Sequence, residues 1–193
     1  MLRDRIRHHQ VGEGGYEECE RVVQQLLREA GGEGIPNGLV SVVPDGFEAQ
    51  ADWATLESPE TYLGSEQARN FAQGAASDGL ALNQWTLSAD WTVESGASVL
   101  NGPGGSIAFR FHARDVHLVM GPRPRETSVA FEVRIDGEPP GDAGGLDVDQ
   151  DGGGAVAQQR LYQLVRQRGS ITDRTFEITF LAPGVEAFVF TFG

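Results

Sequence analysis

From about residue 80 onward, hydrophobic and polar residues alternate along the chain with a period of two. The clearest runs are LSADWTVE (87–94), SIAFRFHA (106–113), VAFEVRID (129–136) and RTFEITFLAPGVEAFVFTFG (174–193). Successive side chains of a strand point to opposite faces, so each run predicts a strand with one buried side. Glycine and proline turns separate the runs. The pattern predicts a mainly β fold, an antiparallel jelly roll or β-sandwich.

The N-terminal region has the period of a helix instead. In YEECERVVQQLLREA (16–30) apolar residues recur at three- and four-residue spacing, and Gly31 and Gly32 follow as a stop signal. The segment IRHHQV (6–11) predicts a short strand before this helix. One strand and one helix cannot bury the apolar face, so we expect the helix to pack on the sandwich or on a second copy of the chain. A homo-oligomer formed through this helix is one predicted partnership.

Residues 32–57 are rich in glycine, proline, aspartate and asparagine, with little periodicity, and we interpret them as a linker. Ser58 followed by Pro59 has the pattern of a helix N-cap and first helical residue, which predicts a short helical turn in SPETYLGSEQARNF (58–71). The predicted division of the chain is therefore a strand and helix over 1–31, a linker over 32–57 and a β-sandwich over 58–193.

Charge and cysteine content exclude several classes of function. The formal net charge is −13, which disfavours nucleic acid and anionic membrane surfaces as partners. The sequence shows no apolar run long enough for a transmembrane helix and no signal peptide in MLRDRIRHHQ (1–10). Cys19 is the one cysteine, so an internal disulfide and a Cys-x-x-Cys pair are excluded for this chain. The cellular compartment, cytoplasmic or extracytoplasmic, is left open.

Several sequence segments resemble the C-terminal region of bacterial DipZ-type proteins of the thioredoxin and cytochrome c biogenesis group. They are SPETYLG, LALNQWTLSADW, FRFHARDVHLVMGP, RLYQLVRQ and FLAPGVEAFVFTFG. The resemblance implies a thioredoxin-like domain followed by a β-sandwich that resembles carbohydrate-binding modules. It also implies that residues 1–31 correspond to the last strand and helix of the thioredoxin-like domain. The family's Cys-x-x-Cys motif and cis-proline would lie upstream, so the chain by itself is expected to lack thiol–disulfide exchange activity.

Two tryptophans in LNQWTLSADW (82–91) fit either a sandwich core or a sugar-binding platform. Trp91 shares its parity with the apolar residues of its run, so we expect it in the core. Trp85 follows Asn83 and Gln84, where the chain is expected to bend, and is the more exposed of the pair in this interpretation. Its ring would then stack on a sugar.

Polar side chains on two further strands are candidate ligand-binding residues. Arg110 and His112 lie on the polar side of their strand and offer hydrogen bonds to sugar hydroxyls. The alternative is a solvated sheet face with cross-strand pairs between arginine and carboxylate groups. Tyr162 and Arg166 would be presented outward together if Leu161 faces inward, and parity alone leaves both orientations open.

An acidic loop, GLDVDQDGGG (145–154), resembles the start of a calcium-binding loop. Asp147, Asp149 and Asp151 alternate before Gly152, which is the spacing by which carboxylates converge on calcium. Position twelve of that pattern would be Gln158 instead of a bidentate glutamate. Calcium is thus a weak candidate cofactor, and an acidic turn between strands is the alternative.

The hypothesis that accounts for most of these features is a non-catalytic binding module for carbohydrate or glycan, attached to a thioredoxin-like domain. The main alternative is a structural or docking domain that positions a thiol–disulfide oxidoreductase on a partner protein. A glycosidase is least favoured. No G-x-S-x-G, Walker or HExxH motif occurs, and although aspartate and glutamate are abundant, sequence alone does not show two carboxylates at a catalytic separation.

Overall fold

The structure, a computed structural model, describes residues 6–9, 16–39 and 51–193. The chain divides into two compact units, residues 1–44 and residues 45–193. Its described part is mainly β, with antiparallel sheets and one N-terminal α-helix, so the predicted fold class is confirmed. No helix in the described ranges is long and apolar enough to cross a membrane.

The predicted helix of the first unit is present as α1 (Tyr16–Glu29). It ends in a Schellman motif, because Gly31 adopts a φ of 83° and the amides of Gly31 and Gly32 donate to the carbonyls of Arg28 and Leu27. The predicted strand before the helix is not observed over Ile6–His9, and positions 10 and 11 lie outside the described residues. The packing of the apolar face of α1 on another surface stays a prediction.

The second unit is formed by antiparallel strands. In chain order these are β1 (Thr61–Tyr62), β2 (Trp85–Ser88), β3 (Trp91–Val93), β4 (Ser98–Leu100), β5 (Ser106–Phe111), β6 (Asp115–Pro122), β7 (Val129–Ile135), β8 (Gly153–Val156), β9 (Arg160–Arg166), β10 (Arg174–Phe180) and β11 (Val185–Phe192). The first sheet has the order β3-β4-β11-β6-β9, with β1 also paired to β11. The second sheet has the order β2-β5-β10-β7-β8.

Strand β11 organises the first sheet. One of its edges pairs with β6 over most of its length, and the other is shared by β4 and β1. A bulge between Ala187 and Val189 shifts the register with β6, and the carbonyl of Phe188 accepts a hydrogen bond from Leu63 at 2.8 Å. Strand β11 thus pairs with three strands, because β4 and β1 are short and each covers a different part of one edge.

The core lies between the inward faces of the two sheets and is rich in phenylalanine. In β7 the predicted alternation is confirmed, with Val129, Phe131, Val133 and Ile135 buried and the residues between them exposed. Rings from β5 and β10 meet Phe190 of β11 across the sandwich, at centroid distances of 5.2 Å from Phe109 and 5.8 Å from Phe176. These contacts join the two sheets into one hydrophobic core.

Two predictions for the start of the sandwich are wrong. The expected helical turn after Ser58 is replaced by β1, and the Ser58 hydroxyl accepts a hydrogen bond from the His112 amide at 2.8 Å. The expected single strand over 87–94 is broken at Ala89, which has a φ of 70°. Strands β2 and β3 on either side of this break lie in different sheets, so side-chain parity does not carry across it.

The predicted exposure of the two tryptophans is therefore reversed. Trp85 is fully buried, and its indole N–H donates to the carbonyl of Arg69 at 2.8 Å. Trp91 is only partly buried, and its ring lies edge-to-face with that of Phe180, with 6.0 Å between the two centroids. The bend before Trp85 is present, since Asn83 has a φ of 65°, but the strand that follows turns this tryptophan into the core.

We predict that Trp85→Ala lowers the free energy of unfolding by about 3–5 kcal/mol, the usual cost of truncating a large buried aromatic residue. The matched variant Trp91→Ala should cost less, because its indole already contacts solvent. Urea unfolding of both variants measures the difference. A larger loss in Trp91→Ala than in Trp85→Ala would contradict this assignment.

Candidate functional site

A cavity of about 290 Å³, lined mainly by residues of polar and charged types, lies on the outer face of the second sheet. On β5 and β10 the lining residues alternate with core phenylalanine and isoleucine, so they point away from the core. The volume is near the lower end of the range for small-molecule sites, roughly 300–1,000 Å³. Its walls are formed by Ser77, Asp78, Arg110, Asp136, Gly137, Thr175 and Glu177.

The floor of this cavity is set by the register of three central strands. Arg110 of β5 lies directly across from Thr175 of β10. Glu177, two residues further along β10, lies across from Ala108 on one side and from Arg134 on the other. The antiparallel pairing thereby places a guanidinium, a hydroxyl and a carboxylate on one face.

Two turns complete the cavity wall. After β7 the chain reverses through Asp136 and Gly137, with φ values of 52° and 85°. The Asp136 carboxylate accepts a hydrogen bond from the Thr175 amide at 2.7 Å, so the turn is tied to β10. A short 3₁₀ turn at Ser77–Gly79 supplies the hydroxyl of Ser77 and the carboxylate of Asp78.

The charged groups of the cavity are unevenly paired. Asp173 accepts a hydrogen bond from His112 Nδ1 at 2.7 Å and lies 3.8 Å from the Arg110 guanidinium. Asp136 forms an ion pair with Arg174. In the part of the chain that the structure describes, no ion pair joins Asp78 or Glu177 to a cation. The cavity therefore contains two carboxylates whose charge is not matched by an ion pair among the described residues.

Of the five predicted ligand-binding residues, one lines the cavity and a second lies beside it. Arg110 is part of the wall, and His112 is linked to Arg110 through Asp173. Trp85 cannot serve as a platform, because it is fully buried under Phe71 at a centroid distance of 4.4 Å. Phe71 is the ring of this pair that reaches solvent.

Of the two orientations that parity leaves open for β9, the structure shows the one in which Tyr162 faces the core. Tyr162 is 1% exposed, and its hydroxyl donates to the Gln158 carbonyl at 2.8 Å. Arg166 donates to the buried Asp115 carboxylate at 2.8 Å. The register of β9 with β6 shifts at Leu164, so residues on both sides of the bulge turn inward.

The three aspartates of the acidic loop do not converge. Asp147 accepts two hydrogen bonds from Arg160, at 2.5 and 3.0 Å, and one from the Gln163 amide. Asp149 instead accepts from the amides of Asp151 and Gly153 within its own turn. No group of three or more metal-binding side chains is found among the described residues. This geometry is that of a hydrogen-bonded acidic turn, and calcium stays an untested prediction.

Two pairs of residues resemble parts of catalytic sites. The His112–Asp173 hydrogen bond resembles the base and orienting acid of a triad, but the nearby Ser58 hydroxyl donates to Asn83 at 2.7 Å and accepts from the His112 amide. It is therefore not hydrogen-bonded to the imidazole that would activate it. In the first unit, Cys19 Sγ lies 3.6 Å from His8 Nε2 without a second thiol in the chain.

Four charged or hydroxyl-bearing residues that line the cavity are not among the ligand-binding candidates from sequence: Asp78, Asp136, Thr175 and Glu177. For Thr175 and Glu177 a signal did exist, because both alternate with the core residues of β10. The other two lie in turns, where the sequence has no periodic pattern from which the neighbouring strand could be predicted.

Comparison with protein families gives a match over the whole sandwich. The family model described as "Thioredoxin like C-terminal domain" matches residues 58–193. Proteins called "Protein DipZ" from Mycobacterium bovis and Mycobacterium tuberculosis are each 32% identical over 127 residues, which cover 60% of this chain. The match spans only 18% of the length of either relative.

Among solved structures, the chain is similar to a family two carbohydrate esterase from Clostridium thermocellum in complex with cellohexaose. The TM-score is 0.41 at 12% identity, and the match covers 55% of this chain and 31% of that one. An active-site mutant from the same enzyme family and organism gives a TM-score of 0.44, also at 12% identity, over 57% and 31% of the two chains.

We predict that millimolar calcium leaves the melting temperature unchanged. Burial acts to raise the pKa of Asp147, but its hydrogen bonds with Arg160 and the Gln163 amide outweigh burial and lower the pKa, so calcium would have to displace an ion pair. A bound ion at a hundredfold excess over Kd would stabilise the fold by about 2.7 kcal/mol. A rise that EDTA reverses and that Asp149→Asn abolishes would contradict the prediction.

A second prediction concerns pH and His117 of β6. Burial lowers the pKa of His117, and its Nε2 has no hydrogen-bond partner among the described residues. The unfolded chain, with an imidazole pKa near 6.5, therefore takes up a proton before the folded chain does. The free energy of unfolding should decrease as the pH falls below that value towards the folded pKa.

Urea unfolding between pH 8 and pH 5 measures this decrease, and His117→Gln should reduce it. His9→Gln is the matched control, because it removes an exposed imidazole from the other compact unit of the chain. Equal pH dependence in wild type and His117→Gln would disprove the assignment.

Proposed function

Because the chain belongs to the family described as Thioredoxin like C-terminal domain, we propose that its β-sandwich is a non-catalytic binding module that works attached to a thioredoxin-like domain. The proposed ligand is a carbohydrate. The single observation that carries this proposal is the cavity around Arg110, lined by charged and hydroxyl-bearing residues, on the outer face of the second sheet.

The composition of the cavity suits a polyhydroxylated ligand. A sugar hydroxyl is both a donor and an acceptor, and the cavity offers both kinds of partner. Arg110 supplies donors, Asp78 and Glu177 supply acceptors, and the hydroxyls of Ser77 and Thr175 supply either. A cavity of about 290 Å³ has the size for a small part of a glycan, such as a single sugar ring.

A non-catalytic role agrees with the chemistry of the chain. A single cysteine does not provide the thiol pair that disulfide exchange requires. The Ser58 hydroxyl beside His112 is engaged by Asn83 and by a backbone amide. Redox chemistry would then belong to the thioredoxin-like domain that the family resemblance implies, and this sandwich would bind.

The test is binding of the isolated chain to a glycan array, followed by calorimetry with the glycans that are retained. Arg110→Gln should weaken binding about tenfold or more, because a hydrogen bond from a charged donor contributes about 1.5–3 kcal/mol. Arg168→Gln is the matched control, since Arg168 is exposed and lies outside the cavity wall. The melting temperatures of both variants exclude a loss of folding.

Three outcomes separate the alternatives. If the wild type binds a glycan and Arg110→Gln weakens that binding, the carbohydrate-binding module is supported. If Arg110→Gln binds the glycan as tightly as the wild type, the assignment of the site to this cavity is wrong. The absence of retention on every glycan contradicts the carbohydrate ligand and favours a domain that docks a thiol–disulfide oxidoreductase on a partner protein.

A further inference from the structure

We propose that the cavity on the outer face of the second sheet selects sugars that carry a free, protonated amino group and rejects sugars that carry a carboxylate. This inference rests on the proposed carbohydrate-binding function and names the ligand class of the same site. It follows from the balance of charge around the cavity and from the positions of the groups that are left unpaired.

The first observation is an excess of carboxylates. Asp78, Asp136 and Glu177 line the cavity, and Asp173 adjoins it through its pairing with Arg110. Two guanidinium groups, those of Arg110 and Arg174, oppose these four carboxylates, and each is already paired with one of them. The electrostatic potential in the cavity is therefore negative, and it attracts a ligand group that carries a positive charge.

A third guanidinium, that of Arg134, reduces this excess without cancelling it, because four carboxylates then face three guanidinium groups. Arg134 of β7 lies directly across from Glu177 of β10. Its guanidinium nevertheless donates to the carbonyl of Gly137 at 3.0 Å, and no ion pair joins it to Glu177 in the part of the chain that the structure describes. Glu177 therefore keeps its capacity to accept hydrogen bonds from a ligand.

The second observation is the position of the acceptors. Glu177 belongs to the sheet that forms the floor, whereas Asp78 comes from the 3₁₀ turn that forms part of the wall. The two unpaired carboxylates therefore reach the cavity from different elements. An ammonium group has three donors and no acceptor, so it matches a cavity in which carboxylates and the Thr175 hydroxyl offer acceptors.

Arg110 does not turn the cavity into an anion site. Its guanidinium lies 3.8 Å from Asp173 and 3.4 Å from the Thr175 hydroxyl, so its charge is partly neutralised from within the protein. A sugar carboxylate placed in the cavity could pair with Arg110 only in competition with Asp173, and it would approach Asp78 and Glu177. Like charges brought to close range repel one another.

The experiment compares four soluble trisaccharides by isothermal titration calorimetry with the full chain: the trimers of glucosamine, N-acetylglucosamine, glucose and galacturonic acid. The glucosamine trimer should bind about tenfold more tightly than the glucose trimer, because charge-assisted hydrogen bonds are roughly twice as strong as neutral ones. The galacturonic acid trimer should bind most weakly. Raising the salt concentration, or raising the pH until the amine is neutral, should remove the preference for glucosamine.

The variants Glu177→Gln and Asp78→Asn test the residues. Each should weaken binding of the glucosamine trimer while changing binding of the glucose trimer by less than about threefold, since an amide remains a hydrogen-bond partner but carries no charge. Glu126→Gln, which removes an exposed carboxylate outside the cavity wall, should leave both affinities unchanged. Melting temperatures of all three variants verify folding.

The outcomes distinguish this inference from the proposed function beneath it. Equal affinity for the glucosamine and glucose trimers would refute the amino-sugar preference and leave the carbohydrate module standing. Tightest binding of the galacturonic acid trimer would also refute it, and would show that Arg110 dominates the cavity. Failure of all four trimers to bind, together with an empty glycan array, would refute the carbohydrate function itself.

Discussion

The register of β10 (Arg174–Phe180) is the constraint on which both the core and the candidate site depend. Phe176, Ile178 and Phe180 are fully buried between the sheets, while Thr175 and Glu177 alternate with them on the outer face. A slip of one residue would place the Glu177 carboxylate in the core and expose the phenylalanines, at a large cost in free energy. The burial of three large side chains therefore also fixes which groups form the floor of the cavity.

Much of the sandwich could be predicted from sequence, because β5, β7 and β10 are regular strands with one clean alternation each. The failures occur where a single residue interrupts that alternation. Ala89, with a φ of 70°, separates β2 from β3 and reverses the expected exposure of the tryptophans. The register shift at Leu164 places Leu164 and Val165, which are adjacent in sequence, both in the core. Neither an alanine nor a leucine signals such an irregularity, because both residues also occupy regular strands.

The candidate site was harder to predict for a different reason. Alternation shows that Arg110 faces outward but does not show which residue of another strand lies beside it. That neighbour is Thr175, 65 positions further along the chain, and the pairing depends on the strand order of the completed sheet. Asp78 and Asp136 lie in turns, where sequence carries no periodic signal. Arg110 could therefore be identified singly, whereas the cavity around it required the fold.

The separation between the two faces of the second sheet has a consequence for function within this family. Outer-face side chains such as Glu177 do not pack in the core, so a substitution there changes the chemistry of the cavity with little effect on the sandwich. Substitutions at Phe176 or Phe109 act in the opposite way, because their rings meet Phe190 across the core. Under the proposed function, alternate residues of the same strands thus specify the fold and the ligand. Two proteins of this family could then share the sandwich and bind different ligands, so the ligand of each has to be inferred from its own outer-face residues.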